Sequence, residues 1–418
     1  GPGDRVAIVL PNGPEMASAF FAVASGLSAA PLNPAYKESE YAFYLEDLKP
    51  KLVIVAQDSD NPVRAAAGSL NIPVAEALVG PEDPAGAFTL WAEEADDTAP
   101  GPGDEALVLH TSGTTSRPKV VPLTQANLFA SASNIASTLA LTPADHCLNI
   151  MPLFHIHGLI AVVLSSIKAI LLRAKRNPEA LSQVKFRFVR SSSASLPPAV
   201  FNELVETFGC PVIEAYGMTE ATHQMASNPL PPGKQKPGFV GLPAGPEICI
   251  LDMGGKKQPA GTVGEVCIRG ANVTPGYENN EKANAESFTD GWFRTGDQGY
   301  LDDEGYLKIT GRIKEIINRG GEKVSPLEVD DVFMEHPGIQ QIVTFAMPHK
   351  MLGEEVAAAV VLVEGATVTE KDLKEYAADL LAPFKIPKKF VFLDEIPKGA
   401  TGKMQRIGLA KKLGLGEA

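Results

Sequence analysis

Residues 106–119 read ALVLHTSGTTSRPK, a short apolar strand that runs directly into a loop of Ser, Thr and Gly carrying one Arg and one Lys. The strand half, Ala106–His110, is the near-continuous run found where both faces of a parallel sheet are buried. The loop half, TSGTTSRPK, gathers hydroxyls, backbone N–H groups and two cations, the donors that a polyphosphate requires. It is not a Walker A loop, because no glycine precedes Lys119 at the GxxxxGK[ST] spacing, and a solvated Ser/Thr turn reads the same way when taken alone.

Outward from this strand the same grammar repeats. Val6–Leu10 and Lys51–Ala56 read as strands and Glu15–Ala30 as a helix. The alternation continues through Thr124–Ala140, Cys147–Met151, Phe186–Arg190, a helix at Pro198–Phe208, and Pro211–Glu214. From about residue 240 the pattern changes to short alternating strands, Glu247–Asp252, Gly264–Arg269 and Gly305–Thr310, separated by turns such as DDEG at 302–305. These predict an antiparallel sheet or distorted barrel. A small α+β unit follows: a helix at Pro326–Glu335 behind the N-cap Ser325, strands Ile342–Ala346 and Val356–Val363, a helix at Thr369–Leu381, and strand Phe390–Leu393. The fold class is therefore α/β. A large N-terminal domain (1–311) of mixed layers carries a small antiparallel, barrel-like subdomain, and a C-terminal domain (312–418) follows.

Composition narrows function. The 418 residues carry a net charge of −13, against the basic footprint that nucleic acids demand. The cysteines, Cys147, Cys210, Cys249 and Cys267, stand singly, which suits a reducing compartment, and the set His146, Cys147, His155, His157 fits no standard zinc spacing. No apolar run reaches membrane-spanning length, no signal peptide is visible, and GLGEA at the C-terminus is not an SKL-type address. The expectation is a cytoplasmic monomer without membrane or nucleic-acid partners, a peroxisomal location being the alternative. The 38 glycines and 34 prolines point to many loops.

Four further motifs carry chemistry. YGMTE (216–220) follows the strand PVIEA, and a hydroxyl plus carboxylate there suits Mg²⁺ beside phosphates, with a capped helix start as the plain alternative. GWFRTGD (291–297) places an acid in a Gly-flanked turn, where a carboxylate can accept both hydroxyls of a ribose or simply form an Asx turn. Gly311-Arg312 stands before Lys314 at the domain junction, and PKGATGKMQR (397–406) sets Lys403 in a Gly-rich loop.

In this order, TSGTTSRPK, YGMTE, GWFRTGD, GRIKEIINRGGEKVSP and PKGATGK resemble the adenylate-forming superfamily of acyl-CoA synthetases, adenylation domains and luciferases. Within it, HTSGTTSRPK, PLFHIHGL (152–159), RSSSASLPP (190–198), AYGMTEATHQM (215–225) and NRGGEKVSP (318–326) look most like the oxalate–CoA ligases of plants and fungi. The resemblance implies two half-reactions, acyl-AMP formation from ATP and a carboxylate, then displacement of AMP by coenzyme A. It implies that Thr111, Ser112, Gly113, Thr114, Thr115 and Lys119 cradle the β- and γ-phosphates. Thr219 would touch the α-phosphate, Glu220 would hold Mg²⁺, and Tyr216 would pack on adenine, with Glu214 in the same nucleotide site. Asp297 and Arg312 would take the ribose hydroxyls, and Lys403 would bridge the carboxylate and α-phosphate. Lys314 would be the hinge of a small mobile domain, and Gly320 and Gly321 would line the coenzyme A channel. An oxalyl pocket must satisfy a second carboxylate with fixed donors; His223, Ser191, Ser193 and His157 are the candidates. His155 and His157 alternate in a strand-like run, so at most one faces the pocket.

Three departures stand out. Val120 replaces the family's glycine after the loop lysine, which implies strain if that position needs φ > 0. SSIKAILLRAKRN (165–177) joins segments that the family separates by a strand and helix lining part of the acyl pocket. The chain also begins inside the family's opening elements, as a piece or gapped record of a longer protein or a degenerate member would. Another short, fatty or coumarate-like acid, or a catalytically inactive adenylate-binding homologue, are the competing expectations.

Overall fold

The computed structural model describes residues 1–91, 98–111, 118–149, 151–160, 185–192, 196–397 and 405–415. The strand at 106–110 lies inside a seven-stranded sheet ordered Thr89–Leu90, Val74–Leu78, Leu52–Ala56, Arg5–Val9, Ser28–Pro31, Glu105–His110, Val120–Thr124. The five central strands are parallel and the two edges antiparallel. Ile8, Ile54 and Leu107 face one core layer and Ala7, Val53 and Val108 the other, which is why these strands read as unbroken apolar runs. Each such buried Ile, Leu or Val side chain contributes about 1.5–3 kcal/mol.

Two expectations for this sheet are corrected. The helix predicted at 15–30 is Pro14–Ala24, and Ser28–Pro31 is a strand pairing with Arg5–Ile8. The segment SAAP has little β propensity; complete burial between two strands places it in the sheet. Val120 opens an edge strand opposite His110, buried and without positive φ, so its side chain strains nothing. Cys147–Asn149, expected to continue the alternation, lie in no strand or helix.

A second sheet runs Leu242–Pro243, His223–Ser227, Val212–Met218, Val189–Ser191, the last two strands parallel. The third, entirely antiparallel, contains Glu247–Leu251, Gly264–Arg269, Trp292–Leu301, Phe288–Thr289 and Leu307–Arg312. Its ten-residue centre, Trp292–Leu301, is the segment whose glycines suggested a turn at Asp297. Gln298 pairs with Glu265 but Arg294 with Cys267, so Thr295–Asp297 form a bulge that the glycines accommodate.

The fourth sheet takes every strand from residues beyond Arg312: Glu322–Val324, Ile317–Arg319, Gly353–Leu362, Ile339–His349 and Lys389–Phe392. The helix Pro326–Met334 starts at Ser325, whose hydroxyl accepts from the Glu328 N–H, and packs Val329 and Phe333 against Ile342, Val356 and Val360. No helix among the described residues is long and apolar enough to cross a membrane.

Candidate active site

Strand Val212–Met218 ends in a single 3₁₀ turn, Thr219–Ala221, and the chain reverses through Thr222 (φ 49) and His223 (φ 88) into the antiparallel strand His223–Ser227. The reversal is tight enough that a Cβ on Gly217 would lie 2.0 Å from the His223 carbonyl oxygen. YGMTE is therefore a strand end followed by a turn, and not a helix start.

From this turn the Glu220 carboxylate enters a buried pocket, where the Tyr277 hydroxyl donates to Oε1 at 2.8 Å. Lys119 Nζ lies 4.1 Å above the Tyr277 ring, so phenol and cation bracket one acid. Burial pushes the Glu220 carboxyl up, against the lowering effect of the Tyr277 hydrogen bond and of Arg312 and Lys119. Burial likewise pulls the Lys119 ammonium down, while Glu220 works to raise it.

Thr111 and Lys119 close the neck of the Ser/Thr loop. The Thr111 N–H donates to the Lys119 carbonyl at 2.9 Å, and the Lys119 N–H donates to Thr111 Oγ1 at 3.2 Å. Ser112, Gly113, Thr114 and Thr115 lie outside the described residues, as do Ser193 and Lys403.

The bulge in Trp292–Leu301 aims Asp297 at two partners from different elements. Tyr216, from the second sheet, donates its hydroxyl to Oδ2. Arg312, the cross-strand partner of Asp297, places Nε 3.0 Å from Oδ1. The Asp297 side chain is 6% exposed and Arg312 59%, so the guanidinium faces an opening. The carboxylate beside it holds Arg312 above its ordinary range, and burial and Asp297 push the Tyr216 phenol up. Tyr216, Asp297 and Arg312 thus form one cluster; Lys119, Tyr277 and Glu220 form another, coupled to Arg312 through its charge.

Glu214 shares a strand face with Tyr216 but joins neither cluster by a hydrogen bond or ion pair among the described residues. The Leu196 N–H donates to Oε1 at 3.4 Å, Oε2 has no partner, and burial pushes the carboxyl up to about 8. Ser191 is its register partner on the neighbouring strand.

His157 and His223 meet with ring centroids 4.6 Å apart, both buried. His157 stands on the helix Ile156–Ile160, which corrects the strand-like reading of that run; His155 precedes the helix, with its ring against Phe154. The serine that reaches His223 is Ser192, its Oγ 3.4 Å from Nε2, and not the predicted Ser191.

Lys314 is exposed on the turn Ile313–Glu315, and its charge helps lower Lys119. Gly320 (φ 59) and Gly321 (φ 102) form the two-residue hairpin between Arg319 and Glu322; a turn with both central φ positive by itself calls for glycine. Two residues not singled out in the sequence complete the picture besides Ser192. Tyr277 sat unremarked in PGYENN, its only signal an aromatic in a Pro/Gly turn. Arg406, quoted but unassigned in PKGATGKMQR, places Nη1 2.7 Å from Asp330 Oδ2 and donates to the Thr344 carbonyl at 2.8 Å, with Nε 3.4 Å from Glu315 Oε2. It anchors the chain just beyond Lys403 to the fourth sheet.

The family model for AMP-binding enzymes matches residues 1–181 and 166–278, and that for the AMP-binding enzyme C-terminal domain matches 328–403. The chain belongs to the AMP-binding enzyme family. Among curated relatives of this AMP-binding enzyme, an oxalate–CoA ligase of Arabidopsis thaliana is 45% identical over 97% of this chain and 87% of its own length. An oxalate–CoA ligase of Saccharomyces cerevisiae is 42% identical, covering 98% and 86%. Among solved structures, ATP-bound MatB from Rhodopseudomonas palustris superimposes with a TM-score of 0.84 at 30% identity, covering 99% of this chain and 89% of that one. The two stretches of the first family match overlap at 166–181, beside the junction near Lys168 where a strand and helix were read as lost. The alignment with the Arabidopsis relative runs over 452 residues, more than the 418 of this chain.

Proposed function

We propose that this AMP-binding enzyme is an ATP- and Mg²⁺-dependent acid–thiol ligase that joins oxalate to coenzyme A. The observation that carries the oxalate reading is the buried His157–His223–Ser192 cluster one residue beyond the Thr219–Thr222 turn. A pocket for a fatty or aromatic acid has no use for two buried imidazoles and a hydroxyl, whereas the second carboxylate of a small diacid requires such donors. The likeness to plant and fungal oxalate–CoA ligases supports the same reading.

The chemistry then divides among the clusters. In the first half-reaction an oxalate oxygen attacks the α-phosphorus, its P–O bond forms, and the bond to pyrophosphate breaks. Asp297, held by Tyr216 and Arg312, is assigned to the ribose hydroxyls as their acceptor. Lys119 supplies a half-buried cation at the phosphate loop, and Thr219 a hydroxyl at the turn. The Glu220 carboxylate, one oxygen of which accepts from Tyr277, is a hard, buried donor that fits Mg²⁺. Mg²⁺ there would neutralise charge on the phosphates. Lys403 is assigned to the carboxylate and α-phosphate, where two anions must approach. In the second half-reaction the thiolate attacks the acyl carbon and AMP leaves, with Lys314 as hinge and Gly320 and Gly321 along the thiol's path.

The test is pyrophosphate release with ATP and Mg²⁺ across oxalate, malonate, propionate, a long-chain fatty acid and a coumarate. The highest kcat/KM is expected with oxalate. Preference for a long-chain acid would sink the oxalate reading, and no release with any acid would sink the enzyme reading in favour of an inactive homologue.

A further inference from the structure

Arg190 lies in strand Val189–Ser191 and is 3% exposed. One Nη2 hydrogen goes to Gln224 Oε1 at 2.9 Å, while Nε and Nη1 have no acceptor. Gln224 is held in turn, donating to the Ala244 carbonyl at 2.9 Å and to Thr138 Oγ1 at 3.2 Å, so its oxygen is fixed towards the guanidinium. A guanidinium presents two two-donor edges that share Nη2. Whichever Nη2 hydrogen Gln224 takes, the opposite edge keeps both its donors. Among the described residues no carboxylate forms an ion pair with Arg190. Burial pulls the group down only to about 10, so it remains a cation at neutral pH. A buried charge without a counter-ion is costly unless a ligand supplies one.

The position of this cation matters. Gln224 adjoins His223, and Ser192, two residues from Arg190, is the serine facing the His223 ring. The open guanidinium edge and the His157–His223–Ser192 cluster therefore stand at one end of the second sheet. We propose that Arg190 is the specificity-determining residue of the acyl site, its open edge taking the non-reacting carboxylate of a small dicarboxylate. This rests on the carboxylate–CoA ligase reading and deepens it: the imidazoles orient the diacid, and Arg190 selects for its second charge. Planar fork and planar carboxylate match in geometry as well as charge.

Pyrophosphate release by the full chain with ATP and Mg²⁺, measured for Arg190→Met, Arg190→Lys and the unaltered protein on oxalate, malonate and propionate, tests this. Arg190→Met should raise the oxalate KM about 30-fold or more, as expected for losing one side of a buried charge pair. Its KM for ATP should not move, and its turnover of propionate should hold or rise. Arg190→Lys keeps the charge and loses the fork, so it should fall between. An unchanged oxalate KM in Arg190→Met, or equal losses on oxalate and propionate, overturns the proposal. Should a thermal melt show Arg190→Met unfolded, Arg190→Lys decides, and unchanged selectivity in it overturns the proposal. An unaltered enzyme that prefers malonate refutes oxalate as the substrate and supports Arg190 if Arg190→Met removes that preference. One that prefers propionate overturns both.

Discussion

Arg312 and Asp297 are direct partners across two antiparallel strands, with Arg312 Nε 3.0 Å from Asp297 Oδ1, and the Tyr216 hydroxyl closes on the other oxygen from a different sheet. Asp297 is thus held between two sheets at the point where the chain leaves for the fourth.

That arrangement makes Asp297→Asn informative. The amide keeps the size of the side chain, and loses the charge opposite Arg312 and one acceptor. Hydrogen bonds to charged groups are worth about 1.5–3 kcal/mol, so the KM for ATP should rise about 10- to 100-fold. Steady-state kinetics at saturating acid would check it; an unchanged ATP KM removes Asp297 from the nucleotide site.

Tyr277→Phe removes the hydroxyl on Glu220 without a change of shape. That hydrogen bond holds the carboxyl down against burial, so its loss should raise the carboxyl further. Because Glu220 must be ionised to hold a cation, the acid limb of the kcat profile should move to higher pH and the Mg²⁺ requirement should increase. A limb that stays in place or moves to lower pH refutes the role given to Glu220.

Much of this was legible in the sequence, and what was not has physical causes. Val6–Leu10, Lys51–Ala56 and Gly264–Arg269 were visible because buried β-branched runs advertise themselves. Ser28–Pro31 was hidden because burial by neighbours, rather than its own propensity, makes it a strand. Trp292–Leu301 was hidden because a bulge needs the glycines that signal turns. Asp297 and Glu220 were singled out through their motifs, whereas Tyr277 and Ser192 make their contacts with residues some 57 and 31 positions distant, which no local pattern reports.

Glu214 should make stability fall as pH rises. Its folded pKa of about 8 lies above the ordinary 4.5, so its contribution is fully present below about 4.5 and is lost as pH climbs through 8. The shift corresponds to ~5 kcal/mol as an order of magnitude. Glu214→Gln, which stays neutral, should lose less stability between pH 5 and 8 than the unaltered protein. Parallel melting curves across that range sink the assignment.

Lys403→Ala should abolish acyl-AMP formation and largely spare thioester formation from preformed acyl-AMP. Rapid-quench measurement of each half-reaction separates them, and equal loss of both steps refutes the assignment.

At the neck of the Ser/Thr loop the Thr111 N–H donates to the Lys119 carbonyl and the Lys119 N–H to the Thr111 hydroxyl, and Lys119 runs straight into the edge strand opposite Glu105–His110. The loop's lysine therefore belongs to the framework of the sheet. Its side-chain cation, seated over the Tyr277 ring, is thereby tied to the position of an edge strand, so a change in that strand's register would move the charge.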